Sequence, residues 1–248
     1  MTERGRSGNP WWIAYETVAM VIGLGSLALI CLGWLPFALL LQPLLPQRWA
    51  QPIGRGFITR GFRFYLRLLE IFCACRFDLQ ELDRLRDSGP LIVAANHPSL
   101  LDAVMIVSRL PNAVCVMKAS LMDNLLFGAA ARLARYIRND APLEMILNAR
   151  QALHDGARLV IFPEGTRTAN FPLDPCSPST GLVANRARVP VQTVLIEFST
   201  PYLGKAWPLF RRPQLPLSCR VRLGRRFDPP TNAQAFTAEI EAYFRAEL

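Results

Sequence analysis

A chain of 248 residues, 51% of them hydrophobic, is long enough to bury one sizeable core, and its mixed pattern of apolar runs gives no reason to propose two. The formal charge of +9, from 28 Lys+Arg against 19 Asp+Glu, favours anionic partners such as phospholipid headgroups, nucleotides or nucleic acid, without choosing among them. Two histidines and six scattered cysteines (Cys31, Cys73, Cys75, Cys115, Cys176 and Cys219) supply no paired metal-ligand spacing, so no metal is implied and a reduced, cytoplasmic compartment fits the thiols.

No charged residue occurs from Thr17 to Gln47, and the stretch Val18 to Leu35 is almost wholly apolar before Pro36 interrupts it. A helix that spans the hydrocarbon core needs about 20 apolar residues, which this run supplies; a signal peptide would have a shorter apolar region and small residues after it. Trp11, Trp12 and Tyr15 at one end and Trp34 and Trp49 near the other suit headgroup-level anchoring. Residues 1–50 are therefore read as a membrane-embedded anchor, either a single helix or a hairpin bent at Pro36, and residues 51–248 as the globular domain. Arg4 and Arg6 precede the anchor, whereas Arg48, Arg55, Arg60, Arg63 and Arg67 follow it, which places the main domain on the cytoplasmic side, the inner membrane in a bacterium. The arginines after the anchor alternate with Phe57, Ile58, Phe62, Phe64, Tyr65 and Leu66. That mixture suits a helix on an anionic bilayer and equally a helix packed on its own domain.

Leu91 to Ala95 reads as a buried strand that delivers Asn96-His97-Pro98 to a helix over Ser99 to Val107. Strands at Ala113–Met117, Arg158–Phe162 and Val189–Phe198, a helix at Leu143–His154 and a C-terminal amphipathic helix from about Gln234 complete the pattern, with a loop from Phe171 to Ser179. Strands alternating with helices predict an α/β fold with a mostly parallel sheet flanked by helices.

His97 lies at the carboxyl end of a strand, where open α/β sheets place ligands, and Asp102 follows one turn into the helix. A near-neutral imidazole can take a proton from an alcohol, and a carboxylate beside it would fix the tautomer and stabilise the imidazolium. The bland reading is that Ser99 to Asp102 is a capping box and His97 a loop residue. Phe162-Pro-Glu-Gly-Thr-Arg167 also follows a strand: Arg167 can grip a phosphate with its planar fork and Gly165 permits close backbone approach, although an ordinary glycine turn has the same composition. Gly23-Leu-Gly-Ser lies inside the apolar segment and is not a dinucleotide site, and no Gly-x-Ser-x-Gly elbow occurs.

Taken together, Asn96-His-Pro-Ser-Leu-Leu-Asp102 and Phe162-Pro-Glu-Gly-Thr-Arg167, about 65 residues apart, resemble the two hallmark motifs of the glycerolipid acyltransferase family, of the lysophosphatidic acid acyltransferase type. The resemblance implies that His97 is the catalytic base, Asp102 its partner, and that Glu164, Gly165, Thr166 and Arg167 serve the acceptor, Arg167 through its phosphate. Lys118 resembles the position of a phosphate-contacting lysine, and Arg138 is the candidate in a block that commonly ends in Arg where this chain has Asn139; Thr193 stands where a second proline is common. Both cations read equally well as solvated surface charge. The resemblance further implies an acyl carrier thioester, acyl-CoA or acyl carrier protein, as co-substrate rather than cofactor. The expected partners are the bilayer and a lysophospholipid acceptor in phospholipid biosynthesis, not nucleic acid. Other hydroxylated lipid acceptors, a membrane-associated thioesterase and a non-catalytic lipid adaptor remain as alternatives.

Overall fold

The computed structural model describes residues 9–248. Arg4 and Arg6, on which half of the charge-asymmetry reading rests, lie outside the described residues. The chain opens with a long helix, α1 (Pro10–Leu44), whose first turn is capped by the Asn9 side chain accepting from the Trp11 amide at 3.0 Å. The helix runs through Pro36 without dividing. Pro36 sits on its exposed side, and the chain reverses only at Leu45 and Pro46 before α2 (Gln47–Phe72). Of the two forms left open, a single helix or a hairpin bent at Pro36, residues 10–44 take the single helix, and α2 completes a helical pair.

Beyond this pair come β1 (Cys75–Asp78), a 3₁₀ turn (Gln80–Leu85), β2 (Leu91–Ala95), α3 (Leu101–Arg109), β3 (Ala113–Met117), α4 (Ala119–Asp123), α5 (Leu125–Leu133), β4 (Ile137–Arg138), α6 (Pro142–His154), β5 (Arg158–Ile161), α7 (Ser179–Ala187), β6 (Val191–Phe198), β7 (Leu217–Phe227) and α8 (Ala233–Glu247). The described residues form a sheet in the order β1-β7-β6-β2-β5-β3-β4, parallel throughout except where β7 runs antiparallel to β6. The central strands β2 and β5 are buried at every position, which is why they read as continuous apolar runs rather than alternating ones. A bulge between Gln192 and Val194 is bridged by side chains: the Thr193 hydroxyl donates to the Arg225 carbonyl at 2.7 Å, and Gln192 Nε2 to that of Gly224 at 2.7 Å.

Two apolar layers cover the sheet. One face packs against α1, α2, α3 and the 3₁₀ turn through Tyr65, Leu69, Leu82, Met105 and Ile106; the other packs against α6, α7 and α8 through Leu153, Val183, Ile240 and Phe244. The α2 helix packs on its own domain along one side, as one of the two readings of its basic, aromatic pattern had it. Its inner side buries Ile58, Tyr65, Leu66 and Leu69, and Arg55 turns inward to donate to the Ala134 carbonyl at 3.1 Å and Asn112 Oδ1 at 2.6 Å. Its outer side leaves Trp49, Ile53, Phe64, Ile71 and Phe72 exposed, beside exposed Val18, Val21, Leu29, Leu32 and Phe37 of α1.

Candidate active site

Strands β2 to β6 all end at one edge of the sheet, and the residues singled out in the sequence lie along it. His97 follows β2 and Phe162 follows its neighbour β5; Lys118 follows β3, and Arg138 lies opposite Met117 on β4. Asn96 extends β2 by one more rung with its side chain: Nδ2 donates to the Ile196 carbonyl at 2.9 Å, and Oδ1 accepts from the Ile196 amide at 2.8 Å. Pinned there, the chain turns at Pro98 and enters α3 with His97 and Asp102 facing each other.

His97 Nδ1 lies 2.8 Å from Asp102 Oδ2. The same Oδ2 accepts from the Ser99 amide at 2.8 Å, and Ser99 Oγ accepts from the Leu101 amide at 3.2 Å. Asp102 thus serves the segment entering the helix and the imidazole through one oxygen. Its other oxygen, Oδ1, is buried without a hydrogen-bond partner among the described residues, and the side chain is fully inaccessible (0% exposed) while His97 keeps 16%. The imidazole also stacks on Phe162, with ring centroids 3.8 Å apart and planes 14° off parallel.

Burial is the largest influence on both groups. It holds the His97 imidazole neutral, down to about 4, with the Arg167 cation acting in the same direction and the Glu164 anion against it. It pushes the Asp102 carboxyl up, and the Ser99 amide opposes that rise. A neutral ring with Nδ1–H turned to Asp102 leaves the Nε2 lone pair as the proton acceptor.

Glu164 is buried, and its oxygens are engaged by the protein: Oε1 accepts from the His97 amide at 2.9 Å and the Thr168 hydroxyl at 2.9 Å, and Oε2 from the Asp174 amide at 2.9 Å. With the Thr168 amide donating to the His97 carbonyl at 2.8 Å, the carboxylate ties the two motifs into one unit. Asp174 extends the tie by accepting from the Ala169 amide at 2.8 Å and the Asn170 amide at 3.1 Å.

Gly165, at φ +70°, makes the exposed turn that carries the chain back toward His97. The Gly165 amide bonds the Phe162 carbonyl, and the amides of Ser99, Leu100, Leu101 and Asp102 are likewise taken. Neither the helix start nor Gly165 itself has a free donor for an oxyanion. Among the described residues, no acceptor faces the amides of Thr166 and Arg167. Arg167 Nη1 donates to the Leu203 and Gly204 carbonyls, both at 2.8 Å, which leaves the other three N–H groups of its fork available.

The structure thus gathers His97, Asp102, Glu164 and Arg167, with Gly165 and Thr166 at the rim. Lys118 and Arg138 stand farther along the edge, both exposed; Arg138 is engaged with Asp123 at 2.6 Å and Asp140 at 2.8 Å. Asn96, Phe162 and Thr168 lie in or beside the two motifs, and their sequence context assigned them no role. Asp174, Leu203 and Gly204 carried no signal, because their contribution is made by loops distant in sequence.

A family model described as Acyltransferase matches residues 60–197, more than half of the chain. The human 1-acyl-sn-glycerol-3-phosphate acyltransferase beta is 28% identical over 161 residues, covering 60% of this chain and 54% of the relative. A mouse 1-acyl-sn-glycerol-3-phosphate acyltransferase alpha is 26% identical over 219 residues, covering 84% of this chain and 72% of the relative. The chain spans about half the length of the human relative and of a putative enzyme of the same name from Caenorhabditis elegans. The crystal structure of the 1-acyl-sn-glycerophosphate (LPA) acyltransferase of Thermotoga maritima superposes with a TM-score of 0.65 at 16% identity, over 93% of this chain and 95% of that one, and shows the same fold. With its two motifs joined through Glu164 and the family model matched across them, the chain belongs to the acyltransferase family.

Proposed function

We infer that the protein transfers a fatty acyl group from a thioester, acyl-CoA or acyl carrier protein, to the free hydroxyl of 1-acyl-glycerol-3-phosphate or a closely similar lysolipid. The observation that carries this reading is a neutral, buried imidazole held by Asp102, on one rigid unit with an arginine whose fork is partly free. His97 Nε2 takes the proton as the acceptor oxygen attacks the thioester carbonyl carbon. Asp102 stabilises the imidazolium, the C–S bond breaks, and the departing thiolate regains the proton from Nε2. The open amides of Thr166 and Arg167 are the backbone donors that this segment offers to developing negative charge. Glu164 is a positioning residue here, and Arg167 holds the acceptor phosphate.

The bilayer is where such an acceptor resides. At 35 residues, α1 is about 50 Å long, well beyond a hydrocarbon core of about 30 Å. It also packs on the domain along its length, from Trp12 and Tyr15 through Ile22 and Ile30 to Trp34, Ala38 and Leu41. Those facts favour a helix lying in the interface over one crossing it, with the outer side of α2 extending the apolar surface past residue 50. The arginine distribution and the thiols favour the cytoplasmic face.

The acceptor assignment is tested with Arg167→Lys. Lysine keeps the charge but not the fork, and charge-assisted hydrogen bonds are worth about 1.5–3 kcal/mol. With a labelled acyl thioester, the preference for lysophosphatidate over phosphate-free monoacylglycerol, as a ratio of kcat/KM, is expected to fall about tenfold or more. An unchanged ratio would show that Arg167 does not read the phosphate.

A further inference from the structure

The loop from Ser199 to Pro216, between β6 and β7, carries a feature that acyl transfer does not use. The Arg211 amide donates to the Pro208 carbonyl at 2.9 Å, closing a β-turn whose two central residues are Leu209 and Phe210. Such positions ordinarily hold Gly, Asn, Asp or Ser. Here two large apolar side chains stand out from the protein, 57% and 79% exposed. The turn is not loose. Trp207 donates Nε1–H to the Arg211 carbonyl at 3.1 Å, the Arg211 guanidinium lies 4.5 Å over the Trp207 ring, and Trp207 packs edge-on against buried Tyr202 at 5.6 Å. A rigid support therefore presents an apolar tip with Lys205, Arg211 and Arg212 around it, all three exposed.

The tip is fastened to α1. Glu16 accepts from the Leu215 amide at 3.2 Å and pairs with Arg212 at 3.5 Å, about one turn after Trp11, which is 83% exposed. Two exposed apolar elements are thereby held side by side, and the loop adds a cationic rim to the largely uncharged helix. An apolar tip with basic and indole flanks matches a negatively charged bilayer surface, where acyl chains receive the tip, headgroup phosphates meet the arginines and the indole sits between.

We propose that the Pro208–Arg211 turn is a docking surface for an anionic lipid bilayer, a second membrane contact beside α1. The turn acts at the membrane whatever reaction the protein performs. The same loop supplies the Leu203 and Gly204 carbonyls that hold Arg167, so the turn and the proposed phosphate grip share one loop.

The test places a polarity-sensitive thiol probe at Phe210→Cys in the full chain, with Cys31 and Cys176 changed to alanine because the other four cysteines are buried. Leu143→Cys, exposed on α6 across the sheet, is the control. On adding phosphatidylcholine vesicles containing phosphatidylglycerol, the emission at 210 shifts to the blue and is quenched by brominated acyl chains, while that at 143 does not change. Arg211→Ser raises the amount of anionic lipid needed for half the shift about fivefold, the effect of one basic residue near such a surface. Vesicle-bound protein with no shift at 210 would overturn the proposal, as would protein that fails to bind vesicles. An equal response to pure phosphatidylcholine would overturn the charge preference, and a shift that tracks protein concentration without vesicles would assign the tip to a second copy of the chain.

Discussion

Replacing His97 with alanine is expected to lower kcat about 10²–10⁴-fold, the range that a positioned general base supplies. The fold should survive, because the ring lies at the open edge of the sheet with Phe162 on one side; circular dichroism of the variant checks this. The pH dependence carries a second signature. Only the unprotonated ring can accept the acceptor's proton, so activity is present above the His97 pKa and lost as pH falls through it. Burial lowers that pKa from the ordinary 6.5 to about 4, so the acid limb due to His97 lies well below 6.5 and the rate is level through neutrality. Alanine removes this limb along with the rate. A variant that kept its activity would make His97 a loop residue and favour a non-catalytic role.

Asp102→Asn is expected to cost about 10²-fold or more in kcat at saturating acceptor, for reasons that hold in either orientation of the amide. With its oxygen toward His97 Nδ1 and the Ser99 amide, asparagine reproduces the geometry but brings no charge to stabilise the imidazolium. Its NH₂ then occupies the buried Oδ1 position, which has no partner among the described residues, at about 1–3 kcal/mol of stability. Turned the other way, the NH₂ faces Nδ1, drives the ring proton to Nε2 and removes the base. Steady-state kinetics and thermal unfolding measured together separate the two outcomes. Unaltered kcat with a lowered melting temperature would leave Asp102 as a helix cap alone.

How far the molecule can be read from its sequence depends on whether a feature is local. The His97–Asp102 contact arises within one strand-to-helix turn, so both residues were visible together in the sequence, although their spacing alone left the catalytic and the capping readings open, and the buried runs of β2, β3, β5 and β6 stood out as apolar. Strand β7 was missed although Leu217, Cys219, Val221 and Leu223 alternate with Ser218, Arg220 and Arg222 as a strand's two faces do; the pattern breaks only at Gly224-Arg225-Arg226, while β1 and β4, with four and two residues, are too short to leave a pattern. Pro36 left a single helix and a bent hairpin both open; α1 continues through it on the exposed side and the chain reverses at Pro46. The partners of Glu164 are at positions 97, 168 and 174, and those of Arg167 are carbonyls 36 and 37 residues away; apart from Thr168, no window on the motif contains them. Arg55, one of the cations that suited a bilayer surface and a packed helix equally, donates to the Ala134 carbonyl in the interior.

Direct transfer from thioester to lipid is tested most closely by a single turnover of wild-type protein in detergent, with enzyme in excess over an acyl thioester labelled in its acyl chain. After quenching, the label is traced in intact protein, free fatty acid and lipid. With lysophosphatidate present, the label is expected to pass into diacyl lipid with none on the protein at any time, and without it to stay on the thioester. A covalent acyl-protein that forms and decays would contradict His97 as a base acting on the acceptor, and release of free acid in the presence of lysophosphatidate would make the protein a thioesterase.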